Sequence, residues 1–382
     1  MKTINIMLAM MAAFLMSGTS CDNRAVANDK QSQTQYSEDN ERSEDNEPAS
    51  TSNPPSETDT LTIAMCGDTM FGTDYPTVRL AADEGKMLFE DTAPITQAAD
   101  IALGNLEGVF GTTDLPAAKA PGKNSYTFRF PALYAPRLKE AGYDYMCLAN
   151  NHSRDFGDKG IALSEKALDE QEIAYSGIKG HKEWAVIERN GVKYGVCAFG
   201  HNHYTITHLD IKNVDRILRE LRPKCDILIV TFHGGAEGRT ARHLPQGREI
   251  FLGGDRGTLR EMTHYCIDHG ADLVFGHGPH VVRCMELYKG HLIAYSLGNF
   301  CTPYGINIAD ITGYAPVLEA RIDGKGMFID GKIHSFIQQP GVGPKTDPTN
   351  AAAKEIRSLT DSDIANPQLT IADDGTITRK NK

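Results

Sequence analysis

Five apolar stretches of this 382-residue chain run directly into residues that bind metals or move protons. Residues 61–66 lead to Gly67-Asp68, and 101–103 lead to Asn105 and Glu107. Residues 145–148 lead to Asn150-Asn151-His152, 226–232 to His233, and 272–275 to Gly276-His277-Gly278-Pro279-His280. Two divalent ions about 3.5–4 Å apart are a recurrent hydrolytic device. They require carboxylates, amide oxygens and neutral imidazoles, and the chain offers these at its strand ends. So many histidines suit zinc, manganese or iron better than calcium. Each residue alone has an ordinary reading. An Asp after Gly is commonly a turn residue, Glu107 taken singly is a surface acid, and a lone His is more often structural than ligating. Two imidazoles three apart at a strand end, in a loop stiffened by Pro279, are harder to ascribe to packing. Asp155, three residues after His152, is spaced to orient that ring. Gly234-Gly235 after His233 leave room for close approach of an ion or substrate.

These residues need elements to bring them together. The strand-like runs alternate with helical patterns at 132–141, 160–172, 214–221 and 256–269, and hairpins are predicted at 185–199 and 281–296. That alternation indicates an α/β layered fold. In open α/β sheets ligands bind at the carboxyl ends of strands. One edge would then collect Asp68, Asn105, Glu107, Asn151, His152, His233, His277 and His280. Beyond residue 325 the pattern weakens, with a short helix predicted at 351–359 and a hairpin at 368–379. Residues 61–325 therefore read as the main domain and 326–382 as a small appendage packed on it.

The start of the chain reads as a targeting segment. Lys2 precedes an apolar run, 4–16, too short to span a bilayer comfortably, and the small residues 17–20 lead to Cys21. This resembles a bacterial lipoprotein signal, with residues 1–20 removed and Cys21 lipidated, although Gly18 stands where Leu is usual. The expected location is the outer side of a bacterial membrane, periplasmic or at the cell surface. No other stretch reaches 18 apolar residues, so no second span is expected. Residues 22–60 hold ten acids against three bases and almost no large apolar side chains. Such a segment cannot offset its ordering entropy, and is read as a disordered tether. The net charge of −11 argues against nucleic-acid binding. The seven cysteines after Cys21 lack Cys-x-x-Cys spacing and read as small buried hydrophobes.

Gly67-Asp68-Thr69-Met70-Phe71-Gly72, Gly104-Asn105-Leu106-Glu107, Leu148-Ala149-Asn150-Asn151-His152, His233-Gly234-Gly235-Ala236-Glu237, Gly276-His277-Gly278-Pro279-His280 and Tyr295-Ser296-Leu297-Gly298-Asn299-Phe300 occur in the order seen in the CapA family. That family is associated with poly-γ-glutamate capsule synthesis and resembles the calcineurin-like metallophosphoesterases. The resemblance implies a four-layer α/β/β/α sandwich and one or two divalent transition-metal ions (manganese, zinc or iron). It implies Asp68 as a terminal ligand, Glu107 as the bridging carboxylate, and Asn151, His233, His277 and His280 as the remaining ligands. His152 would protonate a leaving group, with Asp155 behind it. Asn105, Glu237 and Asn299 would lie behind the ligands or face substrate. Two positions depart from the family pattern: Gly234 where an aromatic is common, and Arg283 where Gln is common. Arg283, with Arg239, Arg242 and Arg256, is expected to present positive charge to an anionic substrate. Three functions stay open: a metal-dependent hydrolase cleaving a phosphoester or amide, a non-catalytic accessory that grips an anionic polymer beside capsule-synthesis membrane proteins, and a periplasmic nucleotidase-like phosphatase.

Overall fold

Side-chain alternation along the strands decides which face each strand buries, and so how many layers form. The computed structural model describes residues 55–119 and 125–380. In chain order the main strands are β1 Thr60–Thr69, β2 Ile101–Leu106, β3 Tyr145–Cys147, β4 Ala174–Ser176, β5 Trp184–Arg189, β6 Val192–Phe199, β7 Ile227–His233, β8 Leu273–His277, β9 Met285–Tyr288, β10 His291–Ala294, β11 Asn299–Cys301, β12 Val317–Asp323, β13 Phe328–His334, β14 Leu369–Ile371 and β15 Thr376–Arg379. The helices are α1 Ala93–Ala98, α2 Ala135–Glu140, α3 Gly157–Asp169, α4 Ile211–Leu221, α5 Leu259–Asp268 and α6 Ala351–Asp363.

A nine-stranded sheet runs β14-β15-β13-β12-β1-β2-β3-β4, with β11 also paired to β1. A six-stranded sheet runs β9-β10-β8-β7-β6-β5. Ile63, Met65 and Leu103 of the larger sheet meet Val196, Ile229 and Phe275 of the smaller one in a core between the sheets. The alternate residues Ala64, Cys66 and Ala102 face outward onto Leu138 of α2 and Ile161 and Leu168 of α3. On the other side, Cys197, Val230 and Val274 face outward onto Val214, Ile217 and Leu218 of α4 and Met262 and Cys266 of α5. The result is the four-layer α/β/β/α sandwich. Full burial of each Val, Leu, Ile, Phe or Met among them contributes about 1.5–3 kcal/mol relative to exposure, so one-residue register slips would be costly.

Register brings the strand ends level. β1, β2 and β3 run parallel, pairing Asp68 with Asn105 and Asn105 with Cys147. β7 and β8 run parallel and pair His233 with His277. On the far flank of β1, β12 pairs antiparallel along residues 60–66, and β11 takes over to pair Asp68 with Asn299. The handover needs Gly67, because a Cβ there would run into the carbonyl oxygens of Gly298 and Leu297.

The C-terminal segment does more than pack on the main domain, since β13, β15 and β14 extend the larger sheet beyond β12. α6 sends Ala353 and Ile356 into the core between the sheets. The helix expected over 256–269 starts only at Leu259, because Gly254–Gly257 is withdrawn into a short hairpin with Glu249–Phe251. Six of the seven cysteines from Cys66 to Cys301 are buried, Cys225 is half-buried, and all seven are free thiols. Among the described residues no helix is long and apolar enough to cross a membrane. The expected signal at 1–20, Cys21 and most of the 22–60 tether lie outside the described residues.

Candidate metal centre

Because the strands end level, side chains far apart in sequence meet. Ligand atoms of Asp68, Glu107 and His233 all lie within 4.8 Å of one another, and all three residues are fully buried. Asn105 holds the two acids together: its Nδ2 donates to Asp68 Oδ1 at 2.8 Å and to Glu107 Oε2 at 2.6 Å. Asn150 supports Asn105 in turn, donating to its Oδ1 at 3.0 Å. From the smaller sheet, His233 Nδ1 stands 3.6 Å from Glu107 Oε2 and His277 Nδ1 stands 3.9 Å from Asp68 Oδ1. His280 Nδ1 lies 3.0 Å from both Asp68 Oδ2 and Asn299 Oδ1.

Burial sets the electrostatics. It raises Glu107 well above the usual carboxylate range, and the neighbouring Asp68 charge adds to this. Burial also drives His233 well below the ordinary imidazole value and His277 down to about 4, which leaves both neutral, as ligands must be. Burial pulls His280 down too, but its bond to Asp68 and the charges of Asp68, Glu107 and Glu237 outweigh it and carry the ring up to about 10. A proton on His280 thus answers the two buried acids in the place where a bound cation would otherwise do so.

The open atoms test whether a metal fits. Glu107 Oε1, Asn151 Oδ1, both nitrogens of His233 and His277 Nδ1 are buried without a hydrogen-bond partner. Orphaned buried polar groups are rare and costly, and here all are metal donors converging from both sheets. His277 has its other nitrogen, Nε2, 3.1 Å from the Thr231 hydroxyl, which fixes the ring with Nδ1 inward. His152 sits beside the cluster with Nε2 3.8 Å from Glu107 Oε1, while Asp155 Oδ2 holds its Nδ1 at 2.7 Å. Beside the cluster is a cleft of about 970 Å³ lined by Asn151, His152, Asp155, His201, Glu237 and His280, among others.

Residues 62–304 match the family described as "Bacterial capsule synthesis protein PGA_cap". The chain belongs to that family. It is 28% identical over 270 residues to the capsule biosynthesis protein CapA of Bacillus anthracis, covering 65% of this chain and 61% of that protein. It is 26% identical over 270 residues to the PGA biosynthesis protein CapA of Bacillus subtilis strain 168, covering 65% and 64%. The matched part is thus under two thirds of either relative's length. Among solved structures, the chain is similar to a novel phosphatase of Mycoplasma pneumoniae, at 14% identity, TM-score 0.47, and coverage of 76% of this chain and 95% of that one. It is also similar to a 5'-nucleotidase precursor of Thermus thermophilus, at 14% identity, TM-score 0.40, and coverage of 75% and 56%.

Both departures from the PGA_cap pattern are accounted for by packing, and both expectations attached to them need correction. Arg283 does not face the cleft. It is fully buried, pairs with Glu249 at 2.9 and 2.7 Å, and donates to the carbonyls of Ala241 and Ala236. Glu249 also accepts from the Ala236 N–H, so the pair braces the loop that carries Glu237. Gly234 leaves no room for an ion or substrate: a Cβ there would meet His208 Nε2 at 2.8 Å and the Arg256 carbonyl oxygen at 3.1 Å. Arg242 pairs with Glu355, away from the cleft, whereas Arg239 and Arg256 line it and pair with Asp310 and Glu237. Asn105 and Asn299 are fully buried, and neither lines the cleft.

Sequence reading passed over His201 and Thr231. His201 Nδ1 lies 3.2 Å from the His233 carbonyl oxygen, and its ring stacks on His233 at a 5.8 Å centroid distance. Burial and Arg256 lower it to about 3, giving the cleft a neutral imidazole. Its signal was available, because it follows β6 with only Gly200 between. Thr231 lies two residues before His233 and so shares its strand face.

Proposed function

We propose that this chain is an exported, lipid-anchored hydrolase that holds two divalent ions at the strand ends and processes an anionic capsule polymer of poly-γ-glutamate type. The reading is carried by the unpaired donors of Glu107, Asn151, His233 and His277, gathered beside a cleft that Asn151 and the His152–Asp155 pair line. When bound, such ions supply Lewis-acid polarisation and lower the pKa of water. The chain's own residues do the remaining work. Asp155 holds the His152 ring with Nε2 toward the cleft, where it can give a proton to a leaving group. Asn105 keeps two buried acids in one place despite their repulsion.

The accessory reading, in which the cleft only grips polymer beside membrane partners, gives no role to the His152–Asp155 pair. Lys119, Arg154, Arg239 and Arg256 line the cleft, and each faces an acid: Asp155, Asp158, Asp310 and Glu237. In either reading a polyanion would therefore be held through bound ions, not through side-chain cations that are already paired.

The test is to load the full mature chain with manganese, zinc or iron and offer poly-γ-glutamate, phosphomonoesters and nucleotides. Cleavage of the polymer, lowered about 10²–10⁴-fold in His152→Ala with ion content unchanged, supports the proposal. Polymer binding without cleavage under any metal selects the accessory reading, and cleavage of nucleotides alone selects the phosphatase reading. Anchoring is tested separately. Stable attachment needs more than one acyl chain, as bacterial lipidation of Cys21 provides. Cys21→Ala is expected to move the protein to the soluble fraction, and unchanged partitioning would remove this part of the proposal.

A further inference from the structure

We propose that Asn299 is itself a metal ligand: with Asp68 Oδ2 and His280 Nδ1, its Oδ1 forms the donor set of the ion on the β11 flank. The inference rests on the metal-centre reading and adds a ligand to it. Asn299 lies in register with Asp68 across β11 and β1 and is fully buried, out of reach of a substrate in the cleft. Its amide orientation is fixed by chemistry. Nδ2 donates to the carbonyls of His280 at 3.1 Å and Thr312 at 2.9 Å, and a carbonyl only accepts. Oδ1 must therefore be the atom 3.0 Å from His280 Nδ1.

That nitrogen is also 3.0 Å from Asp68 Oδ2. One N–H, which points in one direction, is shared between two acceptors. A cation meets both demands at once. Donors bound at about 2.0–2.2 Å and near right angles lie about 3 Å apart, the spacing seen on both edges. The backbone is arranged to the same end. His280 takes φ +56°, a left-handed conformation that a non-glycine residue adopts at a cost, and its carbonyl is tied to Asn299. Asp68 thus divides its two oxygens, Oδ1 toward Asn105 and the Glu107–His233 group, and Oδ2 toward His280 and Asn299.

The experiment measures bound metal, not activity. Full-length wild type, Asn299→Ala and Asn299→Asp are loaded with manganese and dialysed, and their ion content is measured by mass spectrometry and their affinity by manganese resonance titration. Melting of the metal-free proteins checks the fold. Wild type is expected to hold two ions. Asn299→Ala should lose one, or bind it about tenfold or more weakly. Asn299→Asp should keep it, because a carboxylate oxygen replaces the amide oxygen. If Asn299 only tethers the His280 and Thr312 carbonyls, Asn299→Asp must fail as Asn299→Ala does, since it lacks the two N–H donors, and that result overturns the proposal. Should Asn299→Ala not fold, Asn299→Asp alone still decides: retention of the second ion supports the proposal and loss overturns it. Unchanged ion content and affinity in Asn299→Ala overturn it while leaving the metal centre standing. A wild type that binds no ion overturns both.

Discussion

The two sheets contribute unlike halves to one site. The larger sheet brings Asp68, Asn105 and Glu107, which are knitted together by hydrogen bonds among themselves and with Asn150. The smaller sheet brings His233 and His277, whose inward nitrogens have no partner. Its loops are instead braced from behind, by Thr231 on His277 and by Arg283–Glu249 on the 234–241 loop. The acid half is self-organised, because two carboxylates cannot be buried side by side without donors between them. The imidazole half is held at a distance from that network, with its inward nitrogens open to a cation between the two. A binding site assembled from two layers can therefore keep its like charges in one layer and its neutral ligands in the other.

Breaking the junction should have the largest effect. Glu107 is the acid that faces His233 and His152 at once. Glu107→Ala is expected to remove bound metal altogether and reduce any hydrolysis to background, as read by metal analysis; near-full ion content in this variant would mean the two halves bind independently. The brace behind the imidazole half comes next. Arg283→Met leaves Glu249 buried and unpaired and should cost about 3–5 kcal/mol of stability in denaturant melts. Arg283→Met with Glu249→Leu should recover most of that loss, and failure to recover would mean that the loop needs this ion pair itself. The smallest expected effect is at the hydroxyl behind His277. Thr231→Val keeps shape but frees the ring, and should weaken metal about 10–100-fold by titration. The same change in affinity from a substitution on the acid half, such as Asn150→Ala, would erase the distinction between the halves.

Much of the site was legible because strand ends announce themselves: a β-branched run that stops at His or Asp is seldom shaped by packing alone. The parallel core strands and α2, α3 and α4 follow from periodicity to within a few residues. What escaped depended on partners remote in sequence. Arg283 reads as a surface cation until Glu249, 34 residues earlier, is placed against it. The room beside Gly234 is filled by His208, which no local pattern connects to it. The sequence reading passes over β12 and β13, and their pairing next to β1 is what shows that they belong to the larger sheet.

That pairing has a consequence for how the molecule could be altered. Asp68, Asn105 and Glu107 lie at the carboxyl ends of β1 and β2, and Asn299 lies on β11 where it takes over from β12, while β12, β13, β15 and β14 stack outward on that side of β1. The outermost strand, β14, is insulated from the chemistry by three intervening strands. Sequence grafted onto that border would change the protein's outline, and what it can touch, while the register that aligns Asp68 with Asn105 stayed as it is. The larger sheet thus works as a fixed instrument at one side and as an extensible margin at the other.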